Sequence, residues 1–482
     1  VIRRERIGAP SNHDGKKSVS LEPKTPRAIF IEGSTMRHVA VMTAAASIGL
    51  MSIFVVDLLS LLYVSRLGDP NLTAAVGFAT QVLFFLVSIS IGLSIAIGAL
   101  VSRALGAGER PAARRLAASG LVHVFTIAAI VTLIVLPFRH DVLSLIGAKG
   151  EALAVGASYL AITLPATVLL GLGMALGAIL RAAGDARRAM YVTLSGAIVT
   201  AVLDPIFIFG LGLGVTGAAI VTVLSRIVIV AVGIHGAHLK HGLIKRPRLA
   251  AAGRDLAPMM AIAIPAVLTN LATPVANAYS MRVFAGFGDA IVAAFAIIDR
   301  LSPVAFGVLF ALSGSVGPIL GQNLGARQLH RVKQVLTDSF IISTAYVVGV
   351  SALLYLARPL VVELFNATGE TASLVKFFCA YAGALWLFLG PIFVANAAFN
   401  NLGYPLLSTL FNWGRATLGT IPFVTAGAAL YGPEGGFGGL IIGAAAFGIA
   451  AITAAYCVTG RLARAFERAA PSPPGGARKT GV

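Results

Sequence analysis

The sequence predicts an all-α integral membrane protein with twelve transmembrane helices in two pseudo-symmetric six-helix lobes. Three observations predict it. The 482-residue chain is 57% hydrophobic and 12% charged, with a mean hydropathy of +0.89; soluble domains carry about 25% charged residues. Twelve apolar runs reach the ~20 residues that cross a bilayer. The two halves also resemble each other at one constant offset. ALGAGERPAARR from Ala104 answers NLGARQLHRVK from Asn323, and at the same separation Gly184 answers Gly403 and Ala74-Ala75 answers Ala293-Ala294. GD at Gly68 answers GD at Gly288 one residue off.

Residues 1–38 are polar and basic, with no apolar h-region or cleavage site, so they are expected as a disordered cytoplasmic tail rather than a signal peptide. The first six helices are placed near 39–64, 72–101, 117–138, 152–178, 188–210 and 214–238, giving an N-lobe of 39–238. A Lys-, Arg- and Pro-rich linker, 239–256, leads to the C-lobe of 257–460. Its helices are placed near 257–284, 290–318, 336–357, 371–399, 405–428 and 438–460. Residues 461–482 form a C-terminal tail.

An even number of spans puts both termini on one side. Of the 37 Lys and Arg, 28 lie in the tails and the loops sharing their face. Six lie opposite (Arg66, Arg139, Lys149, Arg282, Arg358 and Lys376), and Arg226, Arg300 and Arg415 lie inside helices. That imbalance places both termini in the cytoplasm of a plasma (inner) membrane protein. Six helices per repeat, each repeat starting inside, is a parallel duplication about an axis along the membrane normal. Such a frame suits alternating access around a central cavity. The net charge of +18 matches anionic lipid headgroups rather than nucleic acid, because the basic residues sit in short loops between apolar runs. Cys379 and Cys457 fall within apolar segments and suggest neither a disulfide framework nor a metal site.

Asp204 is the only charge between Val192 and Phe209. A carboxylate at membrane depth costs at least ~2.5 kcal/mol and marks a substrate or ion path. Pro205 follows it, then Gly210, Gly212, Gly214 and Gly217. Irregular backbone at that depth is tolerated only against protein or a water-filled cavity. Asp57, in helix 1, is a second isolated carboxylate. Counting 1.5 Å per residue from the outer helix ends, Asp57, Asp204, Tyr159 and Thr222 share a depth of ~9–12 Å. Thr200 lies one turn from Asp204 on the same face.

Two carboxylates in a low-dielectric pocket cannot comfortably both ionise. A bound H⁺ or Na⁺ relieves them, and an organic cation competes for the same charge. The candidate cation-coupling residues are therefore Asp57, Asp204, Thr200, Thr222 and Tyr159, with Na⁺ placed at Asp57, Asp204 and Thr222. The alternatives are structural: a carboxylate bonded to backbone freed at Pro205 or Gly210, and hydroxyls bonded to their own helices. Asp299 and Arg300, adjacent in helix 8, point about 100° apart and form a second ion site or a gating network. Arg226 and Arg415 read either as neutralised partners or as groups that repel substrate.

Other signals carry no chemistry. GLGVTG from Gly212 matches a dinucleotide fingerprint but has no βαβ unit around it. His235, His238 and His241 sit at the cytoplasmic end of helix 6, where cations suit a helix C-terminus, and are not read as a metal site. NLT at Asn71 and NAT at Asn366 are sequons on the outer face. There is no P-loop, so ATP is not the direct energy source. No cofactor and no enzymatic constellation are expected.

At LRAAGD from Leu180, VLDPIFIFG from Val202, GVTGAAIVT from Gly214, GQNLGA from Gly321 and LGDPNLTAAVGFA from Leu67, the chain resembles the multidrug and toxic compound extrusion (MATE) family, in particular its DinF-like prokaryotic branch. The resemblance spans about 39–460. It implies a V-shaped pair of six-helix lobes that exports small organic cations in exchange for H⁺ or Na⁺. It puts the family's N-lobe acids on Asp57 and Asp204 and their polar partners on Tyr159 and Thr222. Thr200 stands where the family commonly has Asn, and helices 7 and 10 hold no acid; both departures favour N-lobe coupling and H⁺ over Na⁺. A monomer is expected. The rival within transport is a flippase or exporter of a lipid-linked or anionic substrate, for which Arg226, Arg300 and Arg415 would suit an anionic headgroup. A membrane-embedded enzyme would need a His/Asp or Ser/His cluster at one interface, and a channel has no need of paired titratable acids.

Overall fold

The computed structural model describes residues 28–469. Among them, eleven helical stretches are long and apolar enough to cross a membrane. The last, Pro405–Arg468, is 64 residues long, or ~96 Å at 1.5 Å per residue, about three times the ~30 Å of a bilayer core and long enough for two spans. It is broken at Tyr431 and Gly432, whose backbones are not helical, so the chain makes twelve spans. In order they are α1 (Thr35–Ser65), α2 (Pro70–Gly106), α3 (Arg110–Val135), α4 (Gly150–Ala182), α5 (Ala186–Pro205) and α6 (Gly214–Ile234). The second six are α7 (Leu249–Ala285), α8 (Asp289–Gly325), α9 (Leu329–Leu364), α10 (Gly369–Leu402), α11 (from Pro405 to 430) and α12 (433–469). A short helix, Arg139–Leu145, joins α3 to α4. Residue 28 and the end of α12 share one face of the bundle, termed here the tail face; the opposite one is the far face.

The internal duplication governs the backbone as well as the sequence. From α2 onward every span of the second lobe starts at the same offset from its counterpart: 70 and 289, 110 and 329, 150 and 369, 186 and 405, 214 and 433. The turns agree too. Gly150 (φ 55°) matches Gly369 (φ 54°), and Gly184 (φ 81°) matches Gly403 (φ 94°). Arg327 (φ 57°) and Asn366 (φ 48°) have the only left-handed non-glycine backbones among the described residues. Their repeat partners are Gly108 (φ 78°) and Gly147 (φ 104°). The shape of these loops is inherited even where the glycine that favours it is gone.

Within each lobe the same helices pair: α2 on α4, α1 on α5 and α4 on α6 correspond to α8 on α10, α7 on α11 and α10 on α12. Between lobes, α2 packs on α7 and α1 on α8, contacts that exchange under the two-fold, and α2 meets α8 at the axis. Small residues allow that approach, as packing rather than hydrophobicity joins helices in lipid. A Cβ on Gly106 would sit 2.0 Å from the Gln322 carbonyl oxygen, and one on Gly325 would sit 2.1 Å from that of Arg103; Gly106 and Gly325 are themselves repeat partners.

The same axis carries a symmetric clasp. Arg103 Nε donates to the Asn401 carbonyl at 2.8 Å, and Gln322 Nε2 donates to the Ala182 carbonyl at 2.7 Å. The two donors are repeat partners, and so are the two acceptors. Arg103 Nη2 adds a bond to the Asn400 carbonyl at 3.0 Å. Nearby, Asp255 of α7 pairs with Arg115 at 3.4 Å and accepts from Ser119 at 2.8 Å. The hydrogen bonds and ion pairs that join the lobes among the described residues lie in the tail-side half. Further toward the far face Met51 and Phe54 of α1 lie against Gly307 of α8. Beyond it Asp57 of α1 and Asp299 and Arg300 of α8 are exposed; charge at that depth faces a water-filled cavity rather than lipid, which fits lobes that part in a cleft toward the far face.

Three expected boundaries need correction, for one reason: hydropathy marks the lipid-facing part of a helix, not its water-side extension. The disordered tail expected to residue 38 stops earlier. Ile29–Ile31 form a 3₁₀ turn, and α1 starts at Thr35 behind an N-cap by Ser34. Phe30 is 2% exposed; its N–H donates to Gln322 Oε1 at 3.0 Å, and its carbonyl accepts from Asn323 and Arg331. The linker expected over 239–256 is shorter, because α7 begins at Leu249. The C-terminal tail expected from 461 is helical to Ala469. The remainder of both tails lies outside the described residues.

Candidate functional site

The N-lobe candidates converge from four helices near the far face. Asp57 comes from α1, Tyr159 from α4, Asp204 from the end of α5, and Thr222 from α6. Local chain chemistry sets Asp204 in place. α5 ends at Pro205 and continues as a five-residue π-turn, Ile206–Gly210, a widening that recurs at functional sites. Asp204 is 2% exposed, and its Oδ2 accepts a hydrogen bond from the Ser60 hydroxyl on α1. Asp57, three residues before Ser60 and thus on the same side of α1, is accessible from the cleft yet surrounded by protein on most sides. Asp57, Asp204 and Tyr159 lie within electrostatic reach of one another, and Tyr159 stands beside Thr222.

Two members go beyond the coupling set expected from the sequence. Ser60 is absent from that set, although its i+3 spacing from Asp57 is a signal. Arg226, one turn after Thr222, is 8% exposed. It donates through Nη1 to the Thr163 carbonyl at 3.1 Å and lies within electrostatic reach of Asp57 and Tyr159. No carboxylate lies within ion-pair distance of it among the described residues. The pocket thus holds two carboxylates and one guanidinium, and with all three ionised it is net −1.

The two threonines are more ordinary. Thr222 Oγ1 donates to the Ala218 carbonyl at 3.0 Å, which leaves its lone pairs able to accept from Tyr159. Thr200 Oγ1 donates to the Gly196 carbonyl at 3.1 Å, the usual back-bond of a helical threonine. Asp299 and Arg300 are not part of this pocket; Asp299 accepts from Asn277 at 3.4 Å within the C-lobe. The three histidines are apart in function: His241 Nε2 pairs with Asp185 at 2.7 Å, and His238 Nδ1 lies 2.9 Å from the Ile244 carbonyl. Asp185 also caps α5 through the Arg188 N–H and binds the Arg188 guanidinium. Burial alone would raise its carboxyl, but these three hydrogen bonds outweigh burial and hold it below the usual range.

The duplication shows what has become of the equivalent place in the C-lobe. The repeat partners of Tyr159, Asp204 and Thr222 are Phe378, Phe423 and Ile441, and with α1 and α7 ending at Ser65 and Ala285, one residue out of step, Asn277 stands opposite Asp57. Phe378 is 1% exposed and packs edge-on against Phe437. An aromatic-filled interior occupies the C-lobe, whereas the N-lobe core is divided into smaller clusters around its polar pocket.

Comparison with known proteins agrees with this duplicated frame. The MatE family matches over residues 45–206 and 265–424, once per lobe. An FAD transporter of Shewanella oneidensis is 31% identical over 409 residues, covering 80% of this chain and 87% of its own. The multidrug export protein MepA of Staphylococcus aureus is 24% identical over 428 residues, covering 86% of this chain and 92% of its own. A multidrug resistance MATE family transporter of the MOP superfamily, solved in an outward-facing conformation, superposes with a TM-score of 0.85 at 22% identity, over 91% of this chain and 99% of that one. With both lobes matched and the twelve-span fold in common, the chain belongs to the MatE family and is a membrane transporter, not an enzyme.

Proposed function

We propose that this chain is a secondary antiporter of the plasma (inner) membrane that exports small cationic amphiphiles in exchange for H⁺ or Na⁺, with Asp57 and Asp204 as the coupling pair. The observation that carries the reading is the N-lobe pocket itself. It sets one buried and one accessible carboxylate on neighbouring helices, at membrane depth, beside an open cleft. Such carboxylates persist in a membrane where an ion or substrate uses them. The excess of Lys and Arg on the tail face assigns that face to the cytoplasm, so the cleft is open to the outside. H⁺ or Na⁺ entering from outside neutralises the pair and weakens its hold on a cationic substrate. The substrate leaves, the lobes rock about their tail-side contact, and the ion is released inward. Tyr159 and Thr222 line the ion's site, and Arg226 limits how much positive charge it takes. Transport in this family needs no cofactor, and a monomer contains both lobes of the cycle.

A second reading concerns the charge of the substrate. The similarity to an FAD transporter and the exposed intramembrane arginine Arg300 favour a molecule with an anionic group, soluble or lipid-linked, coupled through the same N-lobe pair. Proteoliposomes test the shared coupling. A fluorescent cationic dye is followed under separately imposed pH and Na⁺ gradients in wild type, Asp57→Asn and Asp204→Asn. Gradient-driven efflux is expected to fall at least about tenfold in Asp204→Asn, the loss of one charge-assisted interaction. Wild-type rates and pH dependence in both variants would overturn the mechanism.

A further inference from the structure

The C-lobe holds a polar row that the N-lobe pocket does not use. Asn277 Nδ2 donates to Asp299 Oδ1 at 3.4 Å, linking α7 to α8. One turn along α7, Thr273 Oγ1 accepts from Arg415 Nη2 at 3.2 Å, linking α7 to α11. Arg300 adjoins Asp299. Arg415 opens a π-turn, Arg415–Gly419, the same irregularity that follows Asp204. Counted from the far-side helix ends, Asn277, Asp299 and Thr273 lie ~12, ~15 and ~18 Å deep, well within a membrane.

Charge at that depth faces a water-filled cavity or the bundle interior, not lipid. Asp299, Arg300, Asn277 and Thr273 are exposed, which places the row on the cleft. Neither Arg300 nor Arg415 has a carboxylate within ion-pair distance among the described residues. Counted as ionised, the row is net +1, opposite in sign to the N-lobe pocket. The row is the C-lobe counterpart of the N-lobe acids with its charge changed: α1 and α7 end one residue out of step with the later spans, at Ser65 and Ala285, which sets Asn277 opposite Asp57, while Arg415 stands opposite Gly196.

We propose that this row is the seat of an anionic group, a phosphate or carboxylate, on the transported molecule. Arg415, bonded to Thr273, holds the anion, Asn277 orients it and Arg300 on the neighbouring helix adds positive charge to the same row, while the coupling cation binds in the N-lobe. The proposal rests on the N-lobe-coupled exporter reading and adds the substrate's charge and its lobe. A guanidinium suits an oxyanion because its planar donors pair with two oxygens at once. The anion belongs either to a soluble organic molecule or to a lipid headgroup.

The test uses the full chain in proteoliposomes under pH or Na⁺ gradients, with four probes: riboflavin 5′-phosphate, uncharged riboflavin, a cationic dye, and fluorescently tagged phosphatidylglycerol. Wild type is expected to move the phosphate ester and not riboflavin. Arg415→Gln and Arg300→Gln should each lower the ratio of ester to cationic-dye transport about tenfold or more. Arg415→Lys should restore part of it, since it keeps the charge and loses the fork. If the tagged lipid crosses with the same arginine dependence and the soluble ester does not, the seat holds a headgroup. Gradient-driven dye transport with neither anion moved, or anion transport indifferent to both arginines, overturns the seat and leaves the antiporter reading standing. No gradient-driven movement of any probe overturns both.

Discussion

Replacing Gln322 should weaken the tail-side closure of the lobes in a measurable way. Its amide faces two directions: Nε2 donates to the Ala182 carbonyl of the N-lobe, and Oε1 accepts from the Phe30 N–H. Gln322→Ala removes both bonds and strands a carbonyl and an N–H in a dry interface. One lost hydrogen bond costs ~0.5–1.5 kcal/mol, and a stranded buried group ~1–3 kcal/mol. A total of ~2–4 kcal/mol against the closed tail face lowers its weight roughly 30-fold or more, at 1.4 kcal/mol per tenfold. Gly325→Val acts on the same contact by bulk, since its Cβ would lie 2.1 Å from a backbone oxygen that cannot swing aside. The assay is a spin-label distance between Leu62→Cys on α1 and Ala293→Cys on α8, both exposed near the far face, in a background lacking Cys379 and the exposed Cys457. If the lobes rock, opening the tail face draws the far ends together, and both variants gain a shorter-distance population. Identical distance distributions in wild type and both variants would refute the idea that this clasp holds the state.

Two further outcomes follow from the same geometry. Arg226→Gln leaves Asp57 and Asp204 without a fixed positive charge; a unit charge at ~10 Å in an effective dielectric of ~20 is worth ~1.7 kcal/mol. Na⁺-driven dye efflux should therefore rise about tenfold at limiting Na⁺, and an unchanged Na⁺ dependence would count against a charge-limiting role. Asp185→Asn keeps a competent N-cap but loses the carboxylate's bonds to Arg188 and His241, and should destabilise the detergent-solubilised protein by ~1 kcal/mol at neutral pH. Because the Asp185 carboxyl is held below its ordinary value of about 3.9, its contribution is complete above that value and lost as pH falls through the lowered one. The difference in melting temperature between wild type and variant should close in acid, below about pH 4; closure on the alkaline side would contradict the assignment.

Much of this frame was legible because a membrane imposes a simple code. Twelve apolar runs, the repeated halves and the lone carboxylates Asp57 and Asp204 need no tertiary information. The repeat proved stronger in the backbone than in the residues: nothing in the letters Arg327 or Asn366 signals a left-handed turn, which follows from the place each holds in the duplicated fold. Helix ends were not legible, since Arg254, Asp255 and the residues after Gly460 are polar and hydropathy reports lipid, not helicity. Phe30 was invisible for another reason: its partners Gln322 and Asn323 lie in the opposite half of the chain, beyond any local pattern. Ser60 is the instructive case. A serine one turn from an acid is common, and most such hydroxyls bond their own helix, as Ser52 and Ser47 do here; only the packing of α1 on α5 turns Ser60 outward to Asp204.

The docking of Phe30 has a practical side. The chain enters the fold through the joint between the two halves, with Ile29 and Phe30 lying against Gly184 of one lobe and Phe30 bonded to Gln322 and Asn323 of the other. Residue 28 therefore stands at the joint on which the proposed rocking of the lobes turns. On the proposed rocking cycle, a purification handle or reporter joined directly ahead of residue 28 would load that joint and bias kinetic measurements, whereas Ala469 ends a single helix, away from it.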